Sequence, residues 1–70
     1  MLNKRRTEVN VLGYRIERVQ KFNERGEVSA HWYEVLAPES TYVLGTFAHR
    51  AEAEREIVSR ELRALQRPAA

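Results

Sequence analysis

Seventy residues with no cysteine and a formal charge of +2 make one small domain, held together by its apolar core alone. Disulfide staples and Cys/His zinc sites are excluded. So is a membrane span of conventional length, because the longest run without a charged side chain is Ser40 to His49.

The opening "MLNKRRTE" is basic and polar, with no apolar segment behind it, which argues against a secretory leader. Residues 1–8 read as a flexible basic arm, and the chain as a soluble, cytoplasmic protein. Arginine outnumbers lysine ten to two, a bias that points to a GC-rich bacterial or phage source. Charge is unevenly spread. Lys4, Arg5 and Arg6 against Glu8 leave the arm at +2, residues 9–47 carry −1, and residues 48–70 carry +1. A high isoelectric point alone would favour nucleic acid, but here the strand-forming part is slightly acidic.

From Val9 or Val11 to Phe22 the residues alternate as in a strand, with Tyr14 and Ile16 on one face and Arg15, Glu17 and Val19 on the other. "NERGE" (Asn23 to Glu27) supplies a hairpin loop with Gly26 at its positive-φ position. A second strand from about Val28 to Leu36 groups His31, Tyr33 and Val35 against Trp32, Glu34 and Leu36. "APES" makes the next turn, and Pro38 ends the strand. The third strand, Thr41 to Phe47, sets Tyr42 and Leu44 opposite Val43. Leu44 and Phe47 are an odd number of residues apart, so both reach one face only through a bulge or break near Gly45-Thr46.

A helix is expected from near His49 to Gln66, with Pro68 following it. Its apolar positions are Ala53, Ile57, Val58, Leu62 and Leu65, and Glu54 and Glu61 interrupt them. Glu56 and Arg60 form a well-oriented i,i+4 pair, and His49 with Glu52 partly imitates a capping box. The fold class is therefore α+β: an antiparallel three-stranded sheet followed by one C-terminal helix on one sheet face. The domain covers residues 9–67, and residues 68–70 form a disordered tail.

Catalytic chemistry has little to work with. Neither His31 nor His49 has a nucleophile placed beside it by sequence, and Ser29, Ser40 and Ser59 sit at a strand edge, a turn and a helix surface. Gly13, Gly26 and Gly45 are too scattered to cradle a phosphate. No catalytic residue, metal ligand, cofactor or small-molecule substrate is expected.

The helix is assigned to the face of Tyr14, Ile16, Tyr33, Val35, Tyr42 and Leu44, closed by Phe47. Arg15, Glu17, Val19, Trp32, Glu34, Leu36 and Val43 are left on the other face. A tryptophan, a leucine and two valines among mixed charges are the makings of a binding surface, with Trp and Arg as favoured anchors. The alternative is that the N-terminal arm or the helix end folds over this face.

Within residues 42–57, "LGTF" followed by "AEAE" resembles the third strand and helix start of plant ethylene-response-factor DNA-binding domains. The stretch is also similar to the arm-site-binding N-terminal domains of phage and transposon integrases. The resemblance implies three strands and a helix, with the sheet laid in the DNA major groove. It implies roles for Gly45 as a structural glycine, Phe47 as a core aromatic and Ala53 as a close-packed helix residue. In those families the outer face is dense in arginine. Here Arg15 and Trp32 fit that pattern, whereas Glu17, Glu34, Leu36 and Val43 depart from it, and phosphate neutralisation dominates affinity for DNA.

Two functional expectations follow. The first is a non-enzymatic module whose open sheet face, centred on Trp32, binds a protein partner or a second copy of itself. The second is a DNA-binding accessory protein that uses Arg15, Arg18 and Trp32 on the sheet, with Lys4, Arg5, Arg6 and Arg18 as candidate phosphate contacts.

Overall fold

A computed structural model describes residues 3–66. Four strands, β1 (Asn3–Val11), β2 (Tyr14–Phe22), β3 (Val28–Leu36) and β4 (Val43–Phe47), precede one helix, α1 (Arg50–Gln66). The strands form an antiparallel meander in sequence order. The class is α+β with a C-terminal helix, but the sheet has four strands and not three.

The additional strand comes from the residues read as a basic arm. Asn3 to Val11 pair along the length of β2, from Asn3 opposite Lys21 to Val11 opposite Tyr14. What had read as one long strand is cut by the two-residue turn Leu12-Gly13, where both residues have positive φ, 53° and 90°. Turns of this twist suit a β-hairpin and usually carry Asn-Gly or Asp-Gly. Leucine in that position hides the turn from a reading based on residue type.

The β2–β3 loop forms as anticipated. Asn23 Oδ1 accepts from the backbone N–H groups of Arg25 and Glu27, each at 2.9 Å, and Gly26 has φ of 79°. In β4 the register slips. Val35 lies opposite Gly45 and Leu36 opposite Val43, leaving Leu44 as the surplus residue. Leu44 and Phe47 both pack toward the helix, so the expected bulge exists, centred one residue early. Gly45 has a separate duty, since a Cβ there would lie 2.9 Å from two ring carbons of Phe47.

The slip also corrects the place of Tyr42. It was expected on the helix face, but it lies ahead of β4 in the connecting loop and is 68% exposed. Its N–H donates to Ser40 Oγ and its carbonyl accepts from Ala37 N–H.

The core is Ile16, Val35, Ala53 and Ile57, each fully buried, with Val9, Val11, Tyr14, Tyr33, Leu44 and Phe47 around it. Helix entry follows the expected plan. Glu52 Oε1 accepts from His49 N–H at 3.1 Å, one half of a capping box. Glu56 pairs with Arg60 at 2.7 Å. Helix burial is narrower than the apolar positions suggest, because Val58, Leu62 and Leu65 are exposed. The helix starts beside the paired Tyr33 and Phe47, and its later turns reach Tyr14 near the β1–β2 turn. It thus leaves the β2–β3 hairpin end of the sheet uncovered, and the molecule is long, 54 × 21 × 17 Å. Among the described residues no helix is long and apolar enough to cross a membrane.

Candidate functional site: the sheet face opposite the helix

Register decides which side chains meet on this face, because residues paired across neighbouring strands share a side of the sheet. Arg5, Val19 and Trp32 form one cross-strand row, Thr7, Glu17, Glu34 and Thr46 a second, and Arg15, Leu36 and Val43 a third. The structure thus puts Arg15, Glu17, Val19, Trp32, Glu34, Leu36 and Val43 together on one face. It adds Arg5, which the arm assignment had kept apart from them.

Arg5 organises the centre. Its guanidinium donates to Glu17 Oε1 at 2.8 Å and to Glu34 Oε1 at 2.5 Å, spanning three strands. The other oxygen of Glu34 accepts from Trp32 Nε1 at 2.9 Å, which fixes the indole. Arg15 approaches Glu17 at 3.9 Å and donates to the Ser40 carbonyl at 2.9 Å. The hydrogen bonds to Glu34, then Glu17, push the Arg5 guanidinium above even its usual range. Like charges directly opposed on a sheet repel, so Arg5 is what makes the Glu17–Glu34 pairing tolerable.

One expectation fails here. Val19 and Leu36 were read as part of an exposed apolar cluster, yet they are 1% and 3% exposed. Neither belongs to the helix-side core. By register they lie on the charged face, Val19 between Arg5 and Trp32 and Leu36 between Arg15 and Val43. What remains accessible is half-buried Trp32, the edges of Arg5 and Arg15, and Val43. A depression of about 320 Å³ lies among Arg5, Arg15, Glu17, Leu36, Thr41 and Val43.

The candidate phosphate contacts do not assemble with Arg15 and Trp32. Arg5 shares their face, but Lys4 pairs with Gln20 and Arg6 with Arg18 in rows that alternate to the helix side. Arg18 is there bound to Glu8 at 3.2 Å, and Glu8 also approaches Arg50 at 3.9 Å. His31 is exposed, edge-on to Tyr33 with ring centroids 6.4 Å apart. What the sequence concealed was the Leu12-Gly13 turn; with it located, the alternation in "NKRRTEVNV" would have put Arg5 on one face and Lys4 and Arg6 on the other.

No family model, curated protein or solved structure matches the chain.

Proposed function

We propose that this chain is a small non-enzymatic interaction module that binds a protein partner, or a second copy of itself, through the sheet face opposite the helix. The observation that carries this reading is the fixed, half-buried Trp32, held by Glu34 and flanked in the same network by Arg5. Tryptophan and arginine are the commonest energetic anchors of protein interfaces, and an anchor already locked in place loses little entropy on binding.

Charge balance favours protein over nucleic acid on this face. Arg5 and Arg15 are matched by Glu17 and Glu34, so the surface offers a polyanion little counterion release. A balanced, mixed-sign surface can also complement itself across a two-fold axis.

Sedimentation of the wild type and Trp32→Ala over a dilution series tests the self-associating form. A concentration-dependent dimer that Trp32→Ala abolishes supports it, and a monomer throughout removes it. For a different partner, crosslinking in the source cell followed by mass spectrometry should recover a protein from the wild type and lose it with Trp32→Ala. Equal recovery from both rejects this face as the binding surface.

A further inference from the structure

We infer that the uncovered helix-side surface of the hairpin end is a second binding site, which takes single-stranded nucleic acid. This goes beyond the reading above and uses the other side of the sheet.

The site is built from two cross-strand rows. One is Lys4, Gln20 and His31; the next is Arg6, Arg18 and Tyr33, ending at Phe47. Phe22 follows on the same side, with Lys4 Nζ 5.5 Å from its ring centre. Neither row contains a carboxylate. Glu8, at the helix side of the patch, is occupied by Arg18 and Arg50. Lys4 and Arg6 are exposed and make no ion pair among the described residues. The opposite face, by contrast, neutralises its arginines.

Cations beside accessible rings are the means by which proteins hold single strands: the cations follow the phosphates and the rings stack on bases. His31 offers an exposed ring propped by the edge of Tyr33. A duplex keeps its bases stacked inside and would use the cations alone, so the rings favour an unpaired strand. The helix does not reach this end of the sheet, leaving Lys4, Arg6 and His31 exposed, while Tyr33 and Phe47 close the second row against the core.

Fluorescence anisotropy with a labelled oligothymidylate of about 15 nucleotides tests the site. For Lys4 and Arg6, the two cations unpaired among the described residues, the logarithm of affinity should fall with the logarithm of salt at a slope of about −1.4. Lys4→Ala with Arg6→Ala should bring that slope close to zero. His31→Ala should weaken binding about tenfold at unchanged slope, by loss of stacking. Trp32→Ala should bind like the wild type, which separates this site from the opposite face. All the substituted side chains except Trp32 are exposed, and thermal unfolding of each variant confirms that it is folded. Absence of salt-dependent binding would overturn the proposal. Equally tight binding of a duplex or heparin, indifferent to His31→Ala, would do the same by reducing the patch to general charge attraction.

Discussion

Glu17 and Glu34 stand directly opposite each other on β2 and β3, and Arg5 on β1 donates to both. Their side chains are only 14% and 12% exposed. Arg5→Met should therefore lower stability by about 1–2 kcal/mol, a modest figure because half of the Arg5 side chain stays in water. For a chain of this size that corresponds to a fall in Tm of roughly 4–16 °C. The same substitution in a Glu17→Gln background should cost less, and a double-mutant cycle measures the difference. Since Arg5 is held above its ordinary range in the folded state, its own contribution is fully present below its unfolded value. It is lost only as pH rises through the still higher folded value. The titration of Arg5 itself therefore adds no pH dependence below strongly alkaline conditions.

Leu12 holds a left-handed conformation, which costs a non-glycine residue about 1–2 kcal/mol, and its side chain is 65% exposed. Leu12→Asn should raise stability by about 0.5–1 kcal/mol, because asparagine accepts that conformation and little packing is lost. Chemical denaturation of both proteins checks the sign. An unchanged or lower midpoint would mean that the leucine has a packing role.

Gly45→Ala should destabilise by about 1–3 kcal/mol, through overpacking against Phe47. The added methyl would sit 2.9 Å from ring carbons Cε2 and Cζ, and the ring is wedged beside the core. Combining it with Phe47→Leu should recover part of the loss relative to the sum of the single variants. Strict additivity would show that the contact is not the cause.

Ile57 is fully buried, whereas Leu62 and Leu65 are 52% and 80% exposed. Ile57→Ala should cost about 2–5 kcal/mol. Leu62→Ala and Leu65→Ala should each stay within about 0.5 kcal/mol. Thermal unfolding of the three variants distinguishes a core position from two surface ones that share its residue type.

Much of the fold is legible because alternation is a direct record of facing. The faces of β2 and β3, the Asn23–Glu27 loop and the helix start can be read from residue order. The first strand is not, since its turn is made by a leucine where asparagine or aspartate is customary. That one misreading assigned Arg5 to an arm and hid the centre of the candidate site. Burial of Val19 and Leu36 is also beyond a residue pattern, because it depends on which side chains of neighbouring strands the register sets beside them. The exposure of Leu62 and Leu65 depends on where the sheet ends, a matter of three-dimensional length that helical periodicity does not record.

The surplus residue in β4 settles more than a local kink. With regular pairing, Val43 and Phe47 would point to the same side, the side of Trp32. Leu44 shifts the alternation, so the chain enters the helix with Phe47 already turned to Ile16 and Val35. A five-residue strand thereby chooses which side of the sheet receives the helix. Deleting Leu44 would turn Phe47 toward the side of Trp32 and away from Ile16 and Val35.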